Sequence, residues 1–300
     1  MPSTTSCACR TLSNLRPDPL AVLLGLIVAA SYGAGDFFGG LASRRTPTTS
    51  VVVPAHLLGF LLLGLLLVVD PSGHATDRDL VIGAASGVCG GIGVFLLFRG
   101  LATGRMSVVA PITAVGAAVL PVAWGLATGE RPSALVLFGV LLALAAVALV
   151  ARSDDPDDDV PADREWAAVG WAVGAGVGFG ALFILLAETG DDAGWWPLVS
   201  ARAASVVAVT VGALVARQQL RPNRPAVPAI AASGVLDVTA NAVYLLAVRQ
   251  GLLSLVAVLS SLYPAGTVLL ARVVLKERLV KAQLVGLAFA LAGVACIAIG

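Results

Sequence analysis

The stretch LVIGAASGVCGGIGVFLLFRGL, at residues 80–101, decides the fold of this chain. Its 22 residues are enough for one transmembrane helix, because about 20 apolar residues span the hydrocarbon core of a bilayer. Its single charged residue, Arg99, lies close enough to one end for the side chain to reach the membrane surface. The many glycines favour close contact with other membrane helices. The stretch therefore predicts a transmembrane helix with helical neighbours.

Comparable apolar stretches fill the rest of the chain. Of its 300 residues, 58% are hydrophobic and 12% are charged, whereas soluble domains have about 25% charged residues. A soluble globule could not bury so much apolar surface. We predict an all-α polytopic membrane protein with about ten transmembrane helices. They are expected near residues 20–42, 49–69, 80–101, 106–127, 132–151, 166–188, 195–216, 227–248, 252–274 and 279–299.

Charge and cysteine content argue against several other classes of protein. The net charge of +1 gives no reason to expect a nucleic-acid partner. The four cysteines lack the spacing of a zinc site or a disulfide framework, so we expect neither a metal nor a cofactor. The first apolar stretch leads into further spans and predicts an uncleaved helix rather than a removed signal peptide. We expect a multi-pass protein of the plasma or inner membrane, with the lipid bilayer as its partner.

The chain divides into two similar halves. Residues 152–165 are acidic and interrupted by proline, which predicts a solvated linker between residues 20–151 and 166–300, after an N-terminal tail at 1–19. A shift of 147 residues places the pentapeptide at 84–88 on an identical one at 231–235. The same shift aligns Glu130-Arg131 with Glu277-Arg278 and Tyr32 with Phe179. We expect structural roles at the two Glu-Arg pairs, such as capping or anchoring at the membrane surface.

An odd number of spans in each half has a geometric consequence. The second half must enter the membrane from the side opposite to the first. Two inverted five-helix repeats, related by a pseudo-two-fold axis in the membrane plane, are a recurring design of secondary transporters.

Two signatures at matching positions of the halves resemble the EamA family of the drug/metabolite transporter superfamily. The first is GRMSVVAPI at 104–112, followed by Leu120-Pro121 and Gly129-Glu130-Arg131. The second is GLLSLVA at 251–257, followed by Tyr263-Pro264 and Lys276-Glu277-Arg278. The second copy departs from the first at Val258, which stands where the first has Pro111. The resemblance implies two five-helix repeats, small-molecule transport, and both termini in the cytoplasm.

Four ionisable residues inside the predicted spans are candidates for function, because a charge in the hydrocarbon core is costly and is usually kept for a reason. They are Asp36, His56, Arg202 and Asp237. In a functional interpretation the aspartates bind substrate or protons and Arg202 faces an anionic group. The alternative is an internal ion pair, such as that of Asp237 with Arg202.

Polar and aromatic side chains extend this candidate pathway. Asp237, Asn241 and Tyr244 are spaced to share one face of a helix, and such a face is expected to contact protein or a water-filled cavity. Tyr263 belongs to the same polar set, and Tyr32 and Phe179 are candidate aromatic walls or gates. Hydrogen bonding between helices is the alternative interpretation of the stripe. Pro111, Pro121 and Pro264 each remove a backbone donor and are candidate helix breaks.

The function favoured by these patterns is secondary transport of a small molecule by alternating access. An exporter of an amino acid or a related metabolite fits best, and the acids inside the spans favour coupling to protons. We do not expect an enzyme: the sequence has no Walker A motif, no HExxH, no GxSxG and only two histidines. A membrane-embedded enzyme acting on lipids and a non-transporting scaffold are the alternatives.

The orientation of the chain is left open by the sequence. Ten spans place 13 basic residues on the side opposite to the termini and five on the side of the termini. The positive-inside rule then places the termini outside the cell, whereas the family resemblance places them in the cytoplasm.

Overall fold

The computed structural model describes residues 19–129, 133–151, 162–249, 263–277 and 281–299. These residues form long α-helices and no strand, which confirms the all-helical class. The helices are α1 Pro19–Ser43, α2 Thr49–Val69, α3 Asp77–Thr103, α4 Met106–Ala127, α5 Ala134–Ala151, α6 Ala162–Ala187, α7 Trp196–Val215, α8 Val227–Arg249, α9 Tyr263–Val274 and α10 Lys281–Ile299. Short 3₁₀ turns precede α7 and α8.

Seven helices in the described part of the chain are long and apolar enough to cross a bilayer. They correspond to α1–α4 and α6–α8. Three shorter apolar helices lie at Ala134–Ala146, Tyr263–Val274 and Lys281–Cys296. The protein is therefore a multi-pass membrane protein, and the expected count of ten spans stays a prediction. Glu130-Arg131, the serines at 260 and 261, the tail to residue 18 and most of the linker lie outside the described residues.

The connections between helices gather at two ends of the bundle. At one end Arg44 donates to the carbonyl oxygens of Leu101 and Gly104, at 3.2 and 3.1 Å, and Asn223 donates to that of Arg45 at 2.7 Å. We call this the basic end, because arginines are frequent there. At the opposite end the indole N–H of Trp195 donates to Asp70 at 2.9 Å. Successive described connections alternate between the two ends, as antiparallel spans require.

The two halves pack in the same way when they are exchanged. Helix α1 lies against α8 and α9, and its counterpart α6 lies against α3 and α4. Helix α2 contacts α8 as α7 contacts α3, and α2–α7, α4–α9 and α5–α10 are contacts between counterparts. Thr113 of α4 donates to the carbonyl of Ala172 in α6 at 3.2 Å, and Thr267 of α9 donates to that of Gly33 in α1 at 3.0 Å. The repeat seen in the sequence is thus a repeat of packing.

The shared pentapeptide supplies the closest approach between helices. A Cβ atom on Gly87 would lie 1.8 Å from the carbonyl oxygen of Ala201, so α3 and α7 meet backbone to backbone. Gly234, at the matching position of α8, would place a Cβ 2.8 Å from the carbonyl oxygen of Ala55 in α2. Membrane helices associate through such van der Waals contacts, because lipid provides no hydrophobic drive between them.

Glu277 caps a helix of the other half. Its carboxylate accepts hydrogen bonds from the backbone N–H groups of Met106 and Ser107, both at 3.2 Å. It also forms an ion pair with Arg44 at 3.3 Å. The first N–H groups of a helix lack partners inside the helix, and the N-terminus attracts negative charge. The contacts of Glu277 agree with the capping role expected from the sequence.

The prolines do not interrupt α4. The helix runs from Met106 to Ala127 through both Pro111 and Pro121, so these residues remove donors without ending the helix. Pro264 lies in the first described turn of α9, and the residues before Tyr263 lie outside the described part. Pro54, which sequence reasoning did not single out, lies inside α2.

We predict that Gly87→Ala lowers the thermal unfolding midpoint of the purified protein in detergent. The added methyl group meets the backbone of Ala201, which cannot rotate away, and overpacking of this kind costs about 1–3 kcal/mol. Gly64→Ala in α2 is the matched control, because a Cβ atom there meets nothing within 4 Å. Equal midpoints for the two variants would contradict the proposed backbone contact.

Candidate functional site

A small cavity lies where α1, α2, α3 and α8 meet. Its volume is about 20 Å³, which is room for a water molecule and not for a metabolite. Both halves of the chain contribute to its wall. The lining residues are Tyr32, Gly35, Asp36, Ala55, His56, Val94, Phe98, Ser233, Gly234 and Asp237.

The cavity lies near the middle of the predicted membrane. Asp36 precedes the last residue of α1 by seven positions, and His56 follows the first residue of α2 by seven. At about 1.5 Å per residue, both lie about 10 Å from the basic end. Asp237 is ten positions into α8, about 15 Å from that end. In a hydrocarbon core of about 30 Å, these depths place the site away from both surfaces.

Arg202 and Asp237 form an ion pair between α7 and α8. The guanidinium group donates to the carboxylate, and the two side chains are 13% and 30% exposed. The stem of Arg202 passes Gly59 of α2, where an added Cβ atom would lie 3.6 Å from it. The pair joins α7 to α8, which both belong to the second half. It lies against α2 of the first half. The internal ion pair considered from the sequence is therefore present.

A hydrogen bond between His56 and Ser205 joins α2 to α7 beside this ion pair. The Nδ1 atom of His56 and the hydroxyl of Ser205 are 2.6 Å apart, and both residues are buried. Ser205 also contacts Gly91 of α3, where an added Cβ atom would lie 2.4 Å from the hydroxyl oxygen. Donor and acceptor depend on the tautomer of the imidazole ring. The bond fixes the ring in the cavity wall.

Asp36 is the carboxylate of the cavity that has no cationic partner. No ion pair or hydrogen bond to its side chain is present among the described residues. Its strongest charged neighbour is Asp237, which is already paired with Arg202. Two carboxylates therefore line one small cavity, and of the two only Asp237 has a guanidinium partner among the described residues.

Two tyrosines, Tyr32 and Tyr263, lie near this carboxylate, and Tyr244 lies near Tyr32. The rings of Tyr32 and Tyr263 pack edge to face, with centroids 6.3 Å apart. Tyr244 lies within electrostatic range of Tyr32, and Asp36 lies within range of Tyr263. The aromatic faces and hydroxyl groups can contact either an apolar or a cationic part of a ligand.

Five predicted pathway residues are not among those that line the cavity: Phe179, Arg202, Asn241, Tyr244 and Tyr263. The amide of Asn241 donates to the backbone carbonyl of Asp237 in its own helix, at 2.7 Å. Phe179 packs between α6 and α3, where its ring approaches Gly93. Asp237 lines the cavity, whereas Asn241 is engaged by its own backbone.

The counterpart of the cavity in the other half is filled. The sequence shift pairs Gly35 with Leu182 and Asp237 with Gly90. Leu182 packs directly on Gly90, where an added Cβ atom would lie 2.2 Å from the leucine side chain. At the α1–α8 contact the small residue is Gly35 of α1. The carboxylates of Asp36 and Asp237 lie in the space beside it. The glycine and aspartate at the α1–α8 contact are thus replaced by a leucine and a glycine at the α3–α6 contact.

Sequence reasoning did not find several wall residues. Phe98, whose ring covers Gly39, and Ser233 line the cavity or its approach. Gly35 also lines the cavity, and its signal is the exchange with Leu182 across the repeat. Among the described residues, no group of three or more His, Cys, Asp or Glu side chains is arranged to hold a metal ion.

Comparison with known proteins identifies the family. The model of the EamA-like transporter family matches residues 19–152 and again residues 166–299. The chain belongs to this family. The two EamA-like matches cover the two halves deduced from the internal repeat, and they make the chain a member of a family of membrane transporters.

Two similar proteins extend the comparison. An uncharacterized protein of Methanocaldococcus jannaschii is 28% identical over 135 residues, which cover 45% of this chain and 98% of that protein. Its length thus corresponds to about one EamA-like repeat. A protein of known crystal structure is 14% identical and superposes with a TM-score of 0.61, over 92% of this chain and 96% of the other. That similarity concerns the fold alone.

We predict that the Arg202–Asp237 pair behaves as a unit in stability. Arg202→Gln leaves Asp237 without a partner, and breaking a buried pair costs about 3–5 kcal/mol. Because the Asp237 side chain is 30% exposed, we expect a smaller loss, of about 2 kcal/mol. The double variant Arg202→Gln/Asp237→Asn removes both charges and should unfold at a higher temperature than Arg202→Gln alone. If the fall in unfolding midpoint of the double variant equals the sum of the falls in the two single variants, the two groups do not interact.

Proposed function

We propose that this EamA-like protein is a secondary transporter that moves a small metabolite through the Asp36–Asp237 cavity by alternating access. The observation that carries the proposal is the position of the cavity. It lies at the contact of α1 and α8, which belong to different halves. A site between two exchangeable halves becomes accessible from one end or the other when the halves move relative to each other.

The proposed membrane topology is a pair of inverted five-helix repeats. The contact pattern that survives exchange of the halves supports a pseudo-two-fold relation. The alternation of connections between two ends supports opposite entry of the halves into the membrane. With five spans in each half, the axis lies in the membrane plane, as in many secondary transporters.

A small amphipathic metabolite, such as an amino acid or a related compound, fits the chemistry of the site. Asp36 offers an unpaired carboxylate to an ammonium group, and Arg202 offers a guanidinium group to a carboxylate. The tyrosine rings provide apolar surface between them. Because the closed cavity holds about 20 Å³, binding of a metabolite requires α1 and α8 to separate.

Proton coupling is assigned to Asp36 in this proposal. Asp237 is already bound by Arg202, so the proposal assigns the proton to the other carboxylate. Asp36 has no cation beside it in the described structure, so a proton or a cationic substrate group can neutralise it. Because a proton and a cationic substrate group compete for this one carboxylate, the movement of substrate is coupled to the movement of protons.

We predict that cells overproducing the protein accumulate one chemical class of metabolite in their medium, relative to cells that lack it. Asp36→Asn should reduce this accumulation almost to the level of the cells that lack the protein, because the carboxylate can no longer bind a proton or an ammonium group. Glu188→Gln is the control, since Glu188 is an exposed residue at the opposite end, paired with Arg78. The readout is quantitative metabolite profiling of the medium at equal protein levels.

Matching media from cells with and without the protein would remove the export proposal. Accumulation that persists in full with Asp36→Asn would leave export intact and exclude the assigned role of this carboxylate.

We further propose that the basic end faces the cytoplasm, so that both termini lie outside. The structure assigns each described basic residue of a connection or a helix end to one end of the bundle. Ten of them lie at the basic end and two at the opposite end. The ten are Arg44, Arg45, Arg105, Arg164, Arg217, Arg221, Arg224, Arg272, Lys276 and Lys281, and the two are Arg78 and Arg249. Basic residues near span ends are retained on the cytoplasmic side.

Labelling of single cysteines tests this orientation. In a variant without native cysteines, Ser72→Cys at the opposite end should react with a membrane-impermeant maleimide in intact cells. Gln219→Cys at the basic end should react only after permeabilisation. Both native residues are exposed, so access to reagent depends on the side of the membrane. The reverse pattern would place the termini in the cytoplasm and overturn the assignment.

A further inference from the structure

The outer face of α3 ends in a charged residue, Arg99, that has no carboxylate partner in the part of the chain that the structure describes. Val81, Val88 and Ile92 are 68%, 36% and 48% exposed and lie on one side of the helix. Arg99 and Thr103 continue the same stripe at steps of seven and four residues. Exposed valine and isoleucine on a membrane helix face the lipid tails, so Arg99 lies on the lipid-facing side, close to the basic end.

Among the described residues, no carboxylate is paired with Arg99. Its guanidinium carbon lies 5.1 Å from the centre of the Trp171 ring in α6, which is a cation–π contact. Its Nε atom is enclosed and has no hydrogen-bond partner in the described structure. Glu165, an acidic residue of the same region, is paired with Arg105 at 2.5 Å.

The depth of Arg99 corresponds to the headgroup region. It precedes the last residue of α3 by four positions, about 6 Å along the helix, so the side chain can extend to the membrane surface. Trp166, one turn before Trp171 in α6, is 61% exposed. Exposed tryptophans are enriched at this level of a membrane. Arg164, two turns before Trp171 on the same side of α6, is also exposed and adds a second positive charge toward the surface.

The surface of α6 beside Trp171 is bare of side chain at Gly170, which is exposed and has open space around it. Helices α3 and α6 are in contact beneath this surface, at Gly174 with Leu96 and at Gly104 with Ala168. The surface around Arg99 is apolar toward the middle of the membrane, at Val88 and Ile92, and cationic toward the basic end, at Arg164. An anionic lipid has apolar tails and a negatively charged headgroup in the same order.

We propose that Arg99, Trp171 and Arg164 form a binding site for the headgroup phosphate of an anionic phospholipid. The phosphate accepts hydrogen bonds from Arg99, the acyl chains lie along Val88 and Ile92, and the extra negative charge of the headgroup faces Arg164. Zwitterionic lipids carry the same phosphate but present a cationic group to Arg164, so they bind less tightly. Basic pockets between transmembrane helices bind anionic headgroups elsewhere by the same chemistry.

Lipid binding to the purified protein tests the site without any transport assay. The protein in detergent is titrated with phosphatidylglycerol or phosphatidylcholine, and bound lipid is counted by native mass spectrometry. Wild type should bind phosphatidylglycerol about fivefold more tightly than phosphatidylcholine, the factor expected for one interfacial basic residue. Arg99→Gln should abolish this preference. Arg221→Gln, which removes a basic residue from a connection at the same end, should retain it.

Three outcomes would overturn the proposal. The first is an unchanged lipid preference in Arg99→Gln. The second is an equal loss in Arg221→Gln, which would indicate general attraction of the basic end for anionic lipid. The third is protection from thermal unfolding by inorganic phosphate alone equal to that by phosphatidylglycerol, which would assign the site to a free anion. Monodisperse Arg99→Gln with the wild-type unfolding midpoint in phosphatidylcholine shows that the variant is folded.

Discussion

The architecture depends on backbone contact between helices at two equivalent glycines. Gly87 places α3 on α7, and Gly234 places α8 on α2, in both cases against a backbone carbonyl group. Lipid does not drive apolar helices together, so close approach and the dispersion energy that it allows must do so. These two glycine contacts hold α3 to α7 and α8 to α2, so each joins a helix of one half to a helix of the other. The ion pair of Arg202 with Asp237 and the bond of His56 with Ser205 depend on that arrangement.

Small differences between the halves convert a symmetric scaffold into one with a single charged cavity. Where α6 has Leu182 against Gly90, α1 has Gly35 against Asp237. The leucine fills its side of the pair, while glycine leaves room for the carboxylates and for Tyr32. Phe179 stands at the position of Tyr32 and packs on Gly93, which explains why it does not take part in the cavity. Divergence after duplication is visible here as an exchange of volume and charge at matched sites.

Most of the fold could be predicted from the sequence, because apolar length and an internal repeat are properties of the chain itself. The candidate ion pair of Asp237 was also predictable, since two opposite charges inside apolar spans stabilise each other. The cavity wall could not be predicted, because Phe98 and Ser233 resemble ordinary core residues in the sequence. Only the packing of α1 on α8 and α3 brings them together. Asn241 shares a face with Asp237, yet its amide is satisfied by its own helix, which helical spacing alone does not reveal. The number of spans depends on residues beyond the described part.

Under the proposed transport mechanism, the closed cavity indicates which contacts change when a metabolite enters. Opening from the basic end separates connections that are joined by side chains: Arg44 with Glu277, and Asn223 with the Arg45 carbonyl. Opening from the other end separates Asp70 from Trp195 and Asp79 from the N–H of Gly190. Two of these groups are buried, since Trp195 is 1% exposed and Asp79 is 5% exposed. Breaking their bonds therefore costs more than about 1 kcal/mol, the net loss for a bond whose groups water can reach. The glycine contacts of α3 with α7 and of α8 with α2 find no new partner when they separate deep in the membrane, so separating them forfeits packing. In the proposed transport cycle the ends therefore open in turn while these two helix pairs stay together, with the charged cavity between them.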